Sequence, residues 1–173
     1  VVFEDLYSQD KLIASHNDIN DRNQSVVFID IHTIATADLE KEIQLNPNGS
    51  NKNITIVDTV FYQGLTVGKE YQLKGRLIDK FTEKPFLSNQ KEVVSLLSFT
   101  PKEERGEIQV EFIINSNDLK EGHDIVVYEN LYRDNNLIAV HEDVNDMNQT
   151  IKVSEFDIPV QGDKIILSNL QVN

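Results

Sequence analysis

Two residue types that can do acid–base chemistry, together with a residue that carries a primary amide, recur at the same spacing in two parts of the chain. Residues 1–26 read VVFEDLYSQDKLIASHNDINDRNQSV, and residues 126–151 read VVYENLYRDNNLIAVHEDVNDMNQTI. The two stretches align without a gap at an offset of 125 positions, and 14 of their 26 residues are identical. Both copies contain a glutamate, a histidine and a glutamine: Glu4, His16 and Gln24 in the first, and Glu129, His141 and Gln149 in the second.

Each of these side chains has an ordinary interpretation when it is considered alone. A single histidine is more often a surface residue than a base, and a strand glutamate or glutamine is more often solvated. The identical spacing of both sets argues for a shared role. In addition, Glu129 interrupts the apolar run VVYEN, where a carboxylate costs free energy unless it is paired. His141 is a candidate general base, because a neutral imidazole can accept a proton and later return it.

Composition restricts the partners of such a site. Of the 173 residues, 39% are hydrophobic, including eight Phe and five Tyr, which is enough to form a core. A net charge of −13 argues against nucleic acid or an anionic membrane, because phosphates repel such a surface. The chain has no cysteine, which excludes disulfides, thiol nucleophiles and cysteine metal sites. No apolar run approaches a transmembrane length, so we predict no membrane insertion of this sequence.

The elements that must position these residues are predicted to be β-strands. Period-two and β-branched runs recur between turn-forming breaks, and no stretch sustains a helical period. Only SNDLKEG at 116–122 is predicted to form a helical turn. The pattern predicts an all-β fold, an antiparallel immunoglobulin-like sandwich. The predicted strands lie near residues 1–7, 11–16, 25–36, 54–62, 69–79, 91–99, 107–115, 124–132, 136–141 and 149–156.

The repeat offset predicts the domain organisation. It is too long for a solenoid unit and suits tandem sandwich domains in a stalk. We predict one complete domain at residues 30–156, preceded at 1–29 by the C-terminal strands of another repeat. Residues 157–173 are predicted to be a tail or the start of a following segment.

Four motifs occur in a fixed order along the predicted domain. They are HTIATAD at 32–38, IVDTVFYQGLTVGKEYQLKGRL at 56–77, VVYE at 126–129 and HEDVNDMNQT at 141–150. In the half-repeat, VVFE at 1–4 and HNDINDRNQS at 16–25 are second copies of the last two. This order resembles the VaFE repeats, also called Thr–Gln ester-bond domains, of Gram-positive surface-anchored adhesins. The resemblance implies a CnaB-like sandwich.

The resemblance also implies a specific cross-link. In this family a Thr hydroxyl on the first strand attacks the side-chain amide of a Gln on the last strand, ammonia leaves, and an intramolecular ester remains. By position, Thr33 is the implied nucleophile and Gln149 the implied acyl partner. The implied supporting residues are His141, Glu129 and Asp58.

Two assignments remain open at this point. Thr36 follows Thr33 by three residues and must face the opposite side of the strand, so only one of them can meet an inward glutamine, and we favour Thr33. A carboxylate should orient the ring of His141, and a donor should stabilise the oxyanion that develops on the amide. We assign Asp58 to the first role and Glu129, kept protonated by burial, to the second, although the two could be exchanged.

We predict no cofactor for this chemistry. Asp143, Asn145 and Asp146 offer hard oxygen ligands at short spacing, so Asp143 and Asp146 are weak candidates for a calcium site. The Gly and the distant Glu of an EF-hand loop are missing. A polar turn that satisfies its own backbone is therefore the favoured interpretation.

The predicted function is that of a structural stalk module in an extracellular, cell-wall anchored adhesin. It would cross-link itself once and would not be a turnover enzyme. Its partners would be neighbouring repeats of the same chain, while another domain binds the host ligand. One alternative is a ligand-binding adhesin domain without a cross-link. Another is a hydrolase that uses His141, Asp58 and Thr33, but neither a G-x-S-x-G elbow nor an H-E-x-x-H motif is present.

The half-repeat at residues 1–29 raises a separate expectation. Gln24 has no threonine partner earlier in this sequence. Because Val1 begins within a strand-like run, we expect a truncation remnant. The alternative is that another chain supplies the missing strand and forms an intermolecular ester with Gln24.

Overall fold

The computed structural model of the chain describes residues 1–46, 51–155, 160–161 and 164–165. In this part the secondary structure consists of strands and two 3-10 helices, Arg22–Gln24 and Ser116–Asp118. None of its helices is long and apolar enough to cross a membrane. The strands are β1 (Glu4–Ser8), β2 (Lys11–His16), β3 (Asp30–Ala37), β4 (Glu42–Leu45), β5 (Asn53–Gln63), β6 (Tyr71–Asp79), β7 (Lys84–Pro85), β8 (Leu87–Ser88), β9 (Lys91–Glu92), β10 (Val94–Phe99), β11 (Arg105–Asn115), β12 (Ile125–Arg133), β13 (Asn136–His141), β14 (Thr150–Glu155), β15 (Val160–Gln161) and β16 (Lys164–Ile165).

Two sheets enclose the core. The larger sheet has the order β10-β6-β12-β14-β4, with β13 paired to β12 and β7 paired to β6. The smaller sheet has the order β11-β5-β3. β14 pairs with β4 in parallel, whereas β12 pairs antiparallel with β6, β13 and β14. Buried side chains from both sheets form one core, so the predicted all-β sandwich is confirmed.

The alternation along β3 decides which threonine faces the core. Thr33 is only 1% exposed and shares its face with the buried residues Ile31 and Ala35. Thr36 lies on the opposite face and is half-buried. Because the side-chain period of a strand is two, β3 presents one threonine to the interior.

Several local predictions differ from the structure. β4 is not predicted, because its four residues are held by pairing with the distant strand β14 rather than by a local pattern. The strand predicted at 25–36 begins only at Asp30. The helical turn predicted within 116–122 is the 3-10 helix Ser116–Asp118, where the Asn115 side chain accepts a hydrogen bond from the Asn117 backbone. The predicted tail at 157–173 lies partly outside the described residues.

The first repeat copy forms a separate hairpin. β1 and β2 pair antiparallel as a two-stranded sheet, with Glu4 opposite His16. All eleven residues of these two strands are exposed. This hairpin therefore pairs in the same way as β12 and β13 do, but within the described residues no sandwich covers it.

Candidate functional site

Four polar side chains are buried together with the apolar core. Thr33, Asp58, Glu129 and Gln149 are each at most 1% exposed. Polar groups at such depth are costly unless they are hydrogen-bonded or have a chemical role. They therefore mark the candidate site.

The two buried carboxyl groups occupy positions that the strand pattern reserves for apolar residues. On β5, Asp58 lies between Ile56 and Val60 on the core-facing side, and both neighbours are fully buried. On β12, Glu129 likewise occupies a core-facing position in an alternation of buried aliphatic residues. Asp58 comes from the smaller sheet and Glu129 from the larger one, so the site lies between the sheets.

Glycine in the neighbouring strand makes room for Glu129. Gly75 on β6 and His141 on β13 are the cross-strand partners of Glu129 on its two sides. A Cβ atom at Gly75 would collide with the Glu129 carboxyl group and with the ring of Phe112. The buried carboxyl therefore depends on the absence of a side chain at position 75.

The histidine ring connects the nucleophile candidate to an acidic residue. His141 Nδ1 lies 3.2 Å from Thr33 Oγ1. The other ring nitrogen, Nε2, lies 3.2 Å from Asp146 Oδ2. A neutral ring protonated on Nε2 would donate to Asp146 and accept the Thr33 proton on Nδ1, a tautomer that we assign from these contacts.

The side-chain amide of Gln149 is held at both ends. Its Nε2 donates to the backbone oxygens of Val127 at 2.6 Å and His141 at 2.8 Å. Its Oε1 accepts from the backbone N–H of Asp143 at 3.1 Å. The amide is thus fixed in one orientation, with a donor at the oxygen where charge would develop.

Burial changes the proton affinity of the carboxyl pair. Burial, with an added contribution from the charge of Asp58, raises the pKa of Glu129 to about 9. Burial also raises the pKa of Asp58 to about 7, although the Thr33 hydroxyl and the charge of Lys41 oppose this rise. Among the described residues, neither carboxyl group accepts a well-formed hydrogen bond. Burial therefore dominates the pKa of both groups. At neutral pH, Glu129 is therefore a neutral acid.

Lys41 is a site residue that sequence reasoning missed. It lies in the bend between β3 and β4, and its Nζ donates at 2.8 Å to the backbone oxygens of both Ala35 and Asn148. A lysine in a polar bend gives no sequence signal of its own. Only the fold shows that it reaches the residue next to Gln149.

Two expected roles are occupied by other groups in the structure. The carboxylate that contacts the His141 ring is Asp146, not Asp58. The donor at the Gln149 oxygen is the backbone of Asp143, not Glu129. The recurrence of Asp146 as Asp21 at the repeat offset is a signal that could have identified it.

The carboxylates considered for calcium serve the loop backbone. Asp143 Oδ1 accepts from the Asn145 N–H at 2.9 Å, and Asp146 Oδ1 accepts from the Asn148 N–H at 2.8 Å. These are the local hydrogen bonds expected of a polar turn. Within the described residues, no group of three or more His, Cys, Asp or Glu side chains could hold a metal ion.

Between the two β-sheets, a buried threonine, a buried glutamine and a pair of buried carboxyl groups meet a half-buried histidine. Residues 1–28 and 29–153 each match the family described as "T-Q ester bond containing domain". These matches cover most of the chain, so the chain belongs to this family. The resemblance inferred from the motifs is thereby confirmed.

Two solved structures have the same fold. Both are of a bacterial adhesin from Mobiluncus mulieris that contains intramolecular disulfide, isopeptide and ester bond cross-links. One aligns with a TM-score of 0.64 at 17% identity over 75% of this chain and 58% of the adhesin chain. The other aligns with a TM-score of 0.59 at 19% identity over 72% and 56%, respectively. This chain thus spans little more than half of these adhesin chains, and no curated protein matches it.

Proposed function

We propose that this chain is a structural stalk module of an extracellular, wall-anchored bacterial adhesin, locked by an autocatalytic ester between Thr33 and Gln149. The observation that carries the proposal is the burial of a threonine hydroxyl against a histidine nitrogen in a site that also fixes a glutamine amide. Family membership supports the same bond. The likeness to an adhesin supports the cell-surface setting.

The first step joins the two side chains. His141 Nδ1 accepts the hydroxyl proton of Thr33, and Thr33 Oγ1 forms a bond to the side-chain carbonyl carbon of Gln149. The carbonyl electron pair moves to Oε1, where the Asp143 N–H stabilises it. Asp146 stabilises the imidazolium through Nε2.

The second step releases ammonia. The oxyanion re-forms the carbonyl, the bond from the carbonyl carbon to Nε2 of Gln149 breaks, and the nitrogen leaves with the proton held by His141. Glu129 is a neutral acid, so it adds no negative charge to the site, and its acidic proton supports the proton transfers of the reaction. Each chain reacts once, so the module is a self-modifying protein and not a turnover enzyme.

The burial that permits the reaction also protects its product. Thr33 and Gln149 are at most 1% exposed, so water does not reach an ester formed between them. The chemistry requires no cofactor, because proton acceptor, oxyanion donor and leaving-group proton all come from the chain.

The position of the bond explains the stalk role. It would join β3, the first strand of the sandwich, to the residue that precedes β14, so a pulling force would pass through the ester and not through the ladders between. Closing a loop of about 100 residues stabilises a fold by about 4–5 kcal/mol in the disulfide analogy. In the whole protein, neighbouring repeats would flank this module and another domain would bind the host ligand.

The intact mass of the purified chain tests the proposal. The wild-type chain should be lighter than its sequence by one ammonia, and Thr33→Ala should have the full sequence mass. Thr36→Ala is the matched control, because it removes a threonine from the other face of β3, and it should retain the ammonia loss. A wild-type chain at its full sequence mass would refute the ester.

A further inference from the structure

Lys41 connects the first strand to the reactive end of the last strand. The Asn148 carbonyl, directly before Gln149, accepts from the Ala35 N–H at 2.9 Å and from Lys41 Nζ at 2.8 Å. The Lys41 carbonyl in turn accepts from the Lys152 N–H at 2.9 Å. Because β3 and β14 share no ladder, these contacts tie the backbone before Gln149 to the strand that carries Thr33.

The ammonium is also a local cation among acids. Asp58 on β5 and Asp146 in the loop after β13 both attract it and oppose the lowering of its pKa by burial. Glu129 and His141 are the other titratable groups of the same site. A lysine here therefore favours the ionised form of Asp58.

We propose that Lys41 is a positioning residue for ester formation, which fixes the Asn148–Gln149 backbone against β3 and places a positive charge among the acids of the site. This inference rests on the proposed function. It adds to the site a residue whose two effects, on geometry and on charge, can be separated by substitution.

The geometric effect sets the size of the expected change. Displacing a reacting group by about 1 Å can slow a reaction by roughly 100-fold. Without the ammonium, the Ala35 N–H still binds the Asn148 carbonyl, so we expect a smaller loss of roughly tenfold. Without the charge, Asp58, which interacts with the Thr33 hydroxyl, holds its proton to higher pH, so the pH midpoint of the reaction should rise.

The experiment follows ester formation in freshly synthesised chains. Wild type, Lys41→Met, Lys41→Gln and Lys41→Arg are made by cell-free synthesis at a series of pH values, quenched in acid and denaturant, and weighed intact. Lys152→Met is the matched control, because Lys152 lies on β14 and its ammonium only meets the exposed Glu42 at 3.6 Å. The readouts are the rate of ammonia loss and its pH midpoint.

We expect Lys41→Met to react roughly tenfold more slowly with a raised pH midpoint. Lys41→Arg should restore the wild-type midpoint, and Lys152→Met should behave as wild type. Lys41→Gln keeps a hydrogen-bond donor without the charge, so its midpoint should rise even if Lys41→Met fails to fold. A wild-type midpoint in Lys41→Gln, or a wild-type rate in folded Lys41→Met, would overturn the inference. Absence of ammonia loss from wild type would instead refute the proposed function.

Discussion

The two copies of the repeated segment share several internal contacts in different surroundings. We call residues 126–151 the closing segment and compare them with residues 1–26 of the half-repeat. In the closing segment, Val127 N donates to Gln149 O at 3.0 Å, and in the half-repeat Val2 N donates to Gln24 O at 2.7 Å. Both hairpins also turn through two residues with positive φ and have a register shift at the equivalent position.

The side chains of the two copies also make matching contacts. Gln24 Nε2 donates to His16 O at 2.9 Å, as Gln149 Nε2 does to His141 O at 2.8 Å. The contact between ring and carboxylate is also shared. His16 Nε2 lies 2.9 Å from Asp21 Oδ2, and His141 Nε2 lies 3.2 Å from Asp146 Oδ2. The glutamine and histidine geometry is therefore encoded within the segment itself.

The two copies differ in burial and in the contacts of the glutamine oxygen. Glu4 is exposed, whereas Glu129 is fully buried. Gln24 Oε1 has no hydrogen-bond partner among the described residues, whereas Gln149 Oε1 accepts from Asp143. The comparison shows that the segment pre-orients an amide and an imidazole, while burial, the shifted carboxyl pKa values and the hydroxyl come from β3, β5 and β6.

The largest difference between the copies should appear when each glutamine is removed. Gln149→Ala should lose the ester and lower the free energy of unfolding by about 4–5 kcal/mol, and the melting temperature by roughly 10–20 °C. Gln24→Ala should leave both unchanged, because Gln24 has no threonine beside it in the described residues. Calorimetry of the two variants measures this, and equal losses would contradict the distinct roles of the two copies.

The second-largest difference between the copies should appear when each glutamate is replaced. Glu129→Gln keeps the shape and the neutrality of the buried acid but removes its proton, so the variant should fold while ester formation slows by roughly 100-fold or more. Glu4→Gln should react at the wild-type rate. The time course of ammonia loss by mass spectrometry distinguishes them, and a fast Glu129→Gln reaction would limit Glu129 to a packing role.

A smaller difference should appear when the aspartate that contacts each histidine is replaced. Asp146→Asn removes the charge that stabilises the His141 imidazolium, and we expect ester formation to slow by roughly tenfold to 100-fold. Asp21→Asn changes the equivalent contact of His16 and should not alter the rate. The same mass assay measures both variants, and identical rates would show that the Asp146 contact does not assist the reaction.

Of the two repeat copies, only the closing segment should make the stability depend on pH when the ester is absent. In Thr33→Ala, folded Glu129 binds its proton up to a pKa of about 9, whereas the unfolded carboxyl loses it near the ordinary value of 4.5. The folded state therefore holds the extra proton between these values, and stability should fall as pH rises from about 4.5 to about 9. Thr33→Ala/Glu129→Gln should lose much of this slope in urea unfolding, whereas Thr33→Ala/Glu4→Gln should retain it. A stability that rises with pH across this range would contradict a neutral buried Glu129.

The sequence predicts the strands and the reacting pair better than it predicts the supporting contacts. Alternation along β3 separates Thr33 from Thr36, and acidic residues in apolar runs indicate Asp58 and Glu129. The contact of Asp146, rather than Asp58, with the His141 ring was not predicted, because the sequence does not show which ring a loop carboxylate reaches. β4 and Lys41 were missed for a related reason, since both depend on pairing with residues more than 100 positions away.

A digest of the denatured chain tests the ester most directly. The account predicts one linked peptide pair that contains Thr33 and Gln149, and hydroxylamine should separate it, leaving a hydroxamate at position 149. Peptides with Gln24 should be unlinked in the same digest and serve as the internal reference. Recovery of the Thr33 and Gln149 peptides as separate, unmodified species, or of a linked pair that resists hydroxylamine, would contradict the Thr–Gln ester.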